Sequence, residues 1–293
     1  MNNPFSGSGV ALVTPFNDDF TIDFNALRKL VRYQIDNGTD FLVVQGTTGE
    51  SPTLSWEEKM AVLKAVQEEN NGALKIVFGI GGNNTVEVGN TLKSLDNAGV
   101  DGILSVSPYY NKPTQQGIIA HYKHLATCTD LPIILYNVPG RTGSNVSAAT
   151  TLELAKIDNV VAMKEASGDF SQIMEIIQHK PMGFSVLSGD DAITMPMIAS
   201  GADGVISVVA NAFPKRFAQM VHASQEGNLD LAREAHYDLL PVTHMLFEEG
   251  NPGGVKASLT KQKIMKPTMR RPLYPISADL QGRIEQETER ILS

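Results

Sequence analysis

The feature that most constrains the fold is a repeat in which short apolar runs alternate with longer segments of helical period. The runs are rich in Val, Ile and Leu, and they begin at Gly9, Phe41, Lys75, Gly102, Pro132, Val160, Phe184 and Gly204. Their starts are 20 to 34 residues apart, which fits one strand followed by one helix. Continuous apolar runs of about four to eight residues are typical of parallel strands covered on both faces.

The number of these units favours a closed barrel. Eight strand–helix units fit between residues 9 and 226, whereas an open doubly wound sheet usually has about five or six strands. The sequence therefore predicts a (β/α)8 barrel over residues 1–226, with an open sheet and a separate lobe as the alternative. From residue 227 to 293 only helical patterns follow, at residues 229–249, 254–263 and 276–292, with a proline-rich connection at 266–275. We expect this extension to pack on the barrel.

Composition and charge exclude several classes of protein. The 293 residues are 42% apolar and carry a net charge of −8, which argues against a disordered chain and against nucleic acid or anionic membranes as partners. Cys128 is the only cysteine, so an intrachain disulfide and a cysteine metal site are excluded. The N-terminus lacks a signal-peptide pattern, and no apolar run approaches the ~18 residues that span a bilayer. We expect a soluble cytoplasmic protein.

Polar side chains collect where the predicted strands end. Active sites of such barrels are built at the carboxyl ends of the strands. Hydroxyl and ionisable groups occur there at residues 46–50, 107–111, 136–143, 164–165 and 188–191. The sequence therefore predicts a functional site at this rim.

Lys164 is the most informative of these residues. Alternation along the strand places Val160, Ala162 and Lys164 on one face. Desolvation disfavours the ammonium form of a buried lysine, and a neutral amine in an apolar pocket is what Schiff-base chemistry with a carbonyl requires. The alternatives are an exposed strand-end lysine or one paired with Glu165.

Tyr136 ends the preceding strand and should lie beside Lys164, because adjacent parallel strands end at the same rim. A tyrosine can shuttle protons if a hydrogen-bonded chain carries them onward. Thr47 and Tyr110, from other rim loops, are candidates for that chain. The alternative for each tyrosine is a core residue whose hydroxyl is satisfied.

Two further rim segments are suited to carboxylates. Residues 46–49 offer hydroxyls and glycine-flanked N–H groups, although a tight turn before a helix beginning at Leu54 explains them equally well. Arg141 can hold a carboxylate in bidentate fashion or form a surface salt bridge. His121 and His124 share one face of a predicted helix, which we interpret as a solvated face and not a metal site.

The motifs along the whole chain resemble the dihydrodipicolinate synthase (4-hydroxy-tetrahydrodipicolinate synthase) family of pyruvate-dependent class I aldolases. The resemblance rests on GVALVTPF, GTTGES, SPYYNKP, LYNVPGRTG, KEASG, LSGDD, GVISV and NPGGVK, which occur in this order. Arg141 is the discriminating residue, since the related N-acetylneuraminate lyases lack an arginine there. The resemblance implies condensation of pyruvate with L-aspartate 4-semialdehyde, in lysine and diaminopimelate biosynthesis, without metal or organic cofactor.

The resemblance also implies roles for individual residues. Lys164 would form the Schiff base with pyruvate, and Tyr136 would exchange protons through Thr47 and Tyr110. The substrate-binding positions would be Thr48, Ile206 through its backbone, Arg141 for the semialdehyde carboxylate, Gly189 and Asn251. The remaining alternatives are another Schiff-base aldolase acting on a keto-sugar acid, or a catalytically silent barrel that binds a small acid.

Assembly and regulation are implied in the same way. The family lends the tyrosine at position 110 across a subunit contact, so a homotetramer is expected. The allosteric positions for L-lysine would be Ser51, Pro52, Trp56, Lys59, Asn83, Glu87 and Tyr109. Many inhibited members carry histidines where this chain has Trp56 and Lys59, and we therefore expect weak or absent inhibition.

Overall fold

The computed structural model describes residues 5–95 and 98–293 and forms a closed parallel barrel. Its eight strands pair in chain order, and the last pairs with the first. The strands are β1 Gly7–Ala11, β2 Phe41–Val44, β3 Lys75–Gly79, β4 Gly102–Val106, β5 Ile133–Asn137, β6 Val160–Glu165, β7 Ser185–Ser188 and β8 Gly204–Ser207. The predicted (β/α)8 barrel is confirmed, and the open sheet is excluded.

Helices follow the strands and cover the barrel. They are α1 Phe24–Ile35, α2 Trp56–Asn70, α3 Thr85–Ser94, α4 Gln115–Ala126, α5 Pro139–Thr142, α6 Ala148–Leu154, α7 Phe170–His179, α8 Thr194–Ala199, α9 Pro214–Gln225, α10 Leu229–Glu248, α11 Gly253–Lys261 and α12 Ala278–Leu292. None of the helices within residues 5–95 and 98–293 is both long and apolar enough to cross a bilayer.

Two predicted helix limits differ from those in the structure. Helix α2 begins at Trp56 and not at Leu54, because Ser55 and Glu58 form a reciprocal capping box. The helical period from Thr85 to Ala98 predicts a helix over that range, whereas α3 ends at Ser94; residues 96 and 97 of that prediction lie outside the described residues.

The core has two layers. Inside the barrel, strands alternate so that residues such as Ala11, Val43, Leu104 and Ile206 form one apolar cluster. Between strands and helices lies a second and larger cluster. Side chains that point inward at the carboxyl ends of the strands therefore reach the rim from a rigid, packed interior.

Two sequence predictions fail locally. The pairing of β5 with β6 shifts after Ile133, so Val160 belongs to the outer layer while Ala162 stays inside. This bulge adds one residue to β6, and Val160 therefore does not share the face of Lys164. His121 on α4 is buried, bonded to the Thr85 hydroxyl, and burial lowers its pKa to about 4. It is not part of a solvated face.

The C-terminal helices pack closely on the barrel's last unit. Gly254, in the first turn of α11, packs against α10 with so little space that a Cβ there would lie 2.6 Å from the backbone of Leu246. This contact brings the residues that follow α10 to the barrel rim. The division of the chain at residues 226 and 227 stays a prediction.

Candidate active site

The amine of Lys164 lies at the carboxyl end of β6 against an aromatic ring. The residue is 6% exposed, and its register partner on β5 is Tyr136. Its Nζ lies 4.3 Å from the centroid of the Tyr136 ring. Among the residues that the structure describes, none forms a hydrogen bond or an ion pair with this amine. Lys164 is thus buried and without a counter-charge.

Glu165 does not pair with Lys164, because successive residues of a strand point to opposite faces. Its carboxylate accepts hydrogen bonds from the side chains of Asn137 at 3.1 Å and Gln172 at 3.2 Å. Burial raises the pKa of this carboxyl group. The alternative sequence interpretation of Lys164, a pair with Glu165, is therefore not what the structure contains.

Gly189 after β7 makes room for the lysine side chain. A Cβ at this position would lie 3.0 Å from Cε of Lys164 and 2.7 Å from Cβ of Ala166. The Gly189 N–H donates to the carbonyl of Glu165 at 2.8 Å, which fixes the loop at this distance. The absence of a side chain at Gly189 thus leaves room beside the Lys164 side chain.

A cavity of about 290 Å³ opens at the same rim. Its wall includes three residues predicted to be catalytic or substrate-binding, Thr47, Tyr136 and Arg141, together with some of the predicted allosteric positions, among them Tyr109. The guanidinium of Arg141 has no ion-pair partner in the described part of the chain. A surface salt bridge, the alternative interpretation of Arg141, is therefore absent there.

Thr48 and Asn251 meet deeper in the rim. Thr48 is buried within a short 3₁₀ turn, Thr47–Gly49, and its Oγ1 accepts a 3.0 Å hydrogen bond from Nδ2 of Asn251. The side-chain oxygen Oδ1 of Asn251 is buried without a partner among the described residues. Ile206 is buried in the inner cluster of the barrel. The structure thus joins a rim loop to the segment after α10.

Tyr110 lies apart from the cavity. It is 87% exposed, adopts a left-handed backbone with φ of 72°, and is not part of the cavity wall within residues 5–95 and 98–293. Its neighbour Tyr109 lines the wall instead. Within a single copy of the chain, the structure therefore does not bring Tyr110 to Tyr136.

Two ionic features were missed by sequence reasoning. Glu50, at the end of the Thr47–Thr48 loop, forms a fully buried pair with Lys256 of α11 at 2.5 Å. The other Glu50 oxygen accepts a hydrogen bond from the backbone N–H of Arg270 at 2.9 Å. A glutamate in the loop after β2 and a lysine in an apolar helix are the available signals, but they lie 206 residues apart.

Asp191 is the second missed feature. Its Oδ2 accepts hydrogen bonds from the backbone N–H groups of Val208 at 3.0 Å and Val209 at 3.1 Å, directly after β8. Burial raises the pKa of Asp191 to about 6. The carboxyl group thereby ties the loop after β7 to the loop that follows Ile206.

Comparison with known proteins decides the family. The profile of the dihydrodipicolinate synthetase family matches residues 4–291. A curated 4-hydroxy-tetrahydrodipicolinate synthase of Flavobacterium psychrophilum is 49% identical over 98% of both chains. The chain belongs to the dihydrodipicolinate synthetase family. The family and the activity class expected from the sequence, a synthase of the lysine and diaminopimelate pathway, are confirmed.

Solved structures of this family share the whole fold. The dihydrodipicolinate synthase of Thermotoga maritima superposes with a TM-score of 0.96 at 39% identity, covering 98% of each chain. The chloride-inhibited enzyme of Acinetobacter baumannii, solved in complex with pyruvate, gives a TM-score of 0.95 at 37% identity and the same coverage. The barrel and its C-terminal helices are thus common to these proteins.

Most of the residues expected to bind an allosteric ligand line one cavity. A second cavity of about 280 Å³ adjoins the first, and its wall contains Ser51, Trp56, Lys59, Asn83, Glu87 and Tyr109. Pro52 belongs to the wall of the first cavity instead. Desolvation lowers the pKa of Lys59. Asn83 donates to the carbonyl of Tyr109 at 3.1 Å, so one of its donors is already engaged.

Proposed function

We propose that Lys164 is the nucleophile that condenses pyruvate with L-aspartate 4-semialdehyde to give 4-hydroxy-tetrahydrodipicolinate. The observation that carries this proposal is the buried amine of Lys164, which has no hydrogen-bond or ion-pair partner among the described residues and lies 4.3 Å from the Tyr136 ring. An amine that forms no hydrogen bond or ion pair is free to add to the carbonyl carbon of a substrate.

The first half of the reaction forms an enamine. The Lys164 nitrogen adds to the ketone carbon of pyruvate, and water leaves to give a protonated imine. This imine withdraws electrons from the methyl group, so no separate electron-sink cofactor is needed. Tyr136 accepts a methyl proton while its own hydroxyl proton passes to Thr47 and Tyr110.

The second half joins the substrates and frees the lysine. The enamine carbon attacks the aldehyde carbon, and Tyr136 returns a proton to the developing alkoxide. The amino group of the semialdehyde then adds to the imine carbon, closing the ring. The bond from that carbon to the Lys164 nitrogen breaks, which releases the product and regenerates the amine.

Carboxylate binding orients both substrates. Thr48, with the backbone at Ile206, holds pyruvate, and Gly189 leaves space for its adduct on Lys164. Asn251 fixes Thr48 through the 3.0 Å hydrogen bond. The Acinetobacter baumannii enzyme was solved in complex with pyruvate, which supports pyruvate as a substrate here. Holding the two substrates in the reactive orientation can lower the activation barrier by several kcal/mol. The largest effects of this kind are ~7–11 kcal/mol.

Arg141 holds the carboxylate of the semialdehyde. Its free guanidinium in the cavity wall matches a short dicarboxylic substrate better than a polyol chain, which disfavours a keto-sugar acid. The retained lysine and tyrosine disfavour a silent barrel.

The working enzyme is a cytoplasmic homotetramer in this proposal. The exposure of Tyr110 supports a subunit contact, because the proposed relay needs this hydroxyl and one copy does not bring it to the cavity. Closed symmetric assemblies are the usual form of soluble oligomers. A fully active monomer in sedimentation experiments at micromolar concentration would contradict it.

Borohydride trapping tests the nucleophile. We expect pyruvate plus borohydride to add one adduct to the intact protein, with the modified peptide containing Lys164 and not the buried Lys256. Lys164→Arg should abolish the adduct. A label on another lysine, or no label on an active preparation, would exclude the imine mechanism.

A further inference from the structure

Gln45 occupies the wall of the same cavity, immediately after β2. Its side chain is buried, with 3% of the residue exposed. Neither Oε1 nor Nε2 has a hydrogen-bond partner among the residues that the structure describes. A buried amide that forms no hydrogen bond destabilises the folded protein, and buried polar groups are nearly always paired.

The backbone of Gln45 is also held in an unfavourable conformation. Its φ of 65° lies in the left-handed region, which glycine and asparagine tolerate better than glutamine. The Gln45 backbone packs so closely against Gly79 of β3 that only glycine fits there. A Cβ at position 79 would lie 2.2 Å from the carbonyl oxygen of Gln45. Strained backbone and an unpaired amide at one residue are typical of a functional position.

The location indicates which reactant would meet this amide. The cavity wall joins Gln45 to Arg141, the proposed partner of the semialdehyde carboxylate. Lys164 and Thr48, which hold pyruvate in the proposed mechanism, are not part of this wall in the described chain. Gln45 therefore shares its wall with Arg141 and with Thr47 and Tyr136 of the proposed proton relay, where the second reactant would meet the enamine.

We infer that the Gln45 carboxamide binds the second substrate and determines specificity for it. The inference rests on the proposed function. The semialdehyde carries an ammonium group, an aldehyde oxygen and a carboxylate. A carboxamide offers one acceptor for the ammonium and two donors for an oxygen. Arg141 takes the carboxylate, and Gln45 fixes the amine and aldehyde end, which must approach the enamine carbon in one orientation.

Gln45→Leu tests this role, because leucine keeps an apolar filling of similar size and removes the amide. We expect the KM for the semialdehyde to rise and kcat/KM to fall by roughly 10- to 100-fold, the effect of losing hydrogen bonds to charged groups. The rate of borohydride trapping with pyruvate should stay within about twofold of the parent. The melting temperature should be unchanged or higher, since an unpaired buried amide is gone.

Gln34 on α1 provides the matched control. It is also buried, but its Nε2 donates to the carbonyl of Asn211 at 3.1 Å and its Oε1 accepts from the Thr39 hydroxyl at 2.8 Å. Gln34→Leu should lower the melting temperature and leave the KM for the semialdehyde unchanged. A role of Gln45 in folding alone would give this same pattern for Gln45→Leu.

Gln45→Asn keeps the inference testable if the leucine variant does not fold. Asparagine tolerates the left-handed backbone and withdraws the amide by one methylene. We expect a raised KM for the semialdehyde here too. An unchanged KM in a folded Gln45 variant, or an equal loss in pyruvate trapping, would overturn the inference. Absence of trapping in the parent protein would instead contradict the proposed function.

Discussion

Two buried lysines of this chain have opposite environments. Lys256 on α11 is fully buried, and its Nζ donates to Glu50 at 2.5 Å and to the carbonyls of Thr14 and Thr268 at 2.8 Å. Lys164 at the end of β6 is nearly as buried but faces the ring of Tyr136. Three oxygens surround one amine, whereas no described residue bonds to the other.

The difference separates a structural cation from a candidate nucleophile. Burial lowers the pKa of Lys256, but the Glu50 carboxylate opposes this effect and the three oxygens occupy all three N–H donors. Such an amine has neither a lone pair to offer nor space for a carbonyl. Burial alone therefore does not distinguish the two lysines; the lack of bonded oxygens around Lys164 does, and the proposed mechanism depends on it.

Replacing Lys164 should give the largest functional effect. We expect Lys164→Met to reduce turnover by roughly 10⁴-fold or more, because the covalent intermediate cannot form. Stability should be unchanged or increased, since no bonded partner is orphaned. Steady-state assays and urea unfolding of the same preparation measure both. Substantial residual turnover, or a large loss of stability, would indicate that Lys164 has a structural role like that of Lys256.

Replacing the hydroxyls of the proposed proton relay should have the next largest effect. We expect Tyr136→Phe, Thr47→Val and Tyr110→Phe each to lower turnover by roughly 10²–10⁴-fold, the usual contribution of proton-transfer groups. Each variant should keep the circular dichroism spectrum of the parent. Tyr110→Phe should be restored in mixed oligomers with a Lys164→Arg chain, because the hydroxyl then comes from the partner copy. Near-normal turnover in all three single variants would show another proton route.

Replacing Lys256 should affect stability instead. Lys256→Met leaves Glu50 buried without a counter-charge, which typically costs about 3–5 kcal/mol. Lys256→Met combined with Glu50→Leu should recover most of that loss, because no buried charge remains. Urea unfolding checks both variants. Equal stability of the single and double variants would show that the Glu50 carboxylate is not the reason for the loss.

The sequence predicts the parts of this comparison that depend on local pattern. Strand order and the placement of Lys164, Tyr136 and Arg141 at one rim follow from periodicity along the chain. The bulge at Val160 depends on pairing with β5, and the Glu50–Lys256 pair joins residues 206 positions apart. Neither can be read from local pattern, because each depends on how distant segments pack.

Asp191, a buried carboxyl group without a paired cation in the described part of the chain, extends the comparison to acids. Asp191 accepts two backbone hydrogen bonds, and its pKa is raised to about 6. The folded state then binds more protons than the unfolded state between about pH 4 and 6, so this group's stabilisation is lost as pH rises through that range. We expect the unfolding free energy of the parent relative to Asp191→Asn to fall by up to ~3 kcal/mol between those limits. A pH-independent difference would contradict the raised pKa.

Lys59 offers the weakest contrast, since it is only half-buried in the second cavity and forms no ion pair with any residue that the structure describes. At ~4 Å and an effective dielectric of ~20, its ammonium would repel the ammonium of L-lysine by ~4 kcal/mol, and solvent exposure reduces this severalfold. A cation–π contact with Trp56 would return only ~0.5–2 kcal/mol. We therefore expect weak or absent inhibition by L-lysine and tighter binding to Lys59→Gln, both measurable by titration calorimetry. Inhibition of most of the parent's activity by submillimolar L-lysine would contradict this prediction, because the Lys59 ammonium would then not prevent binding of the ligand's ammonium group.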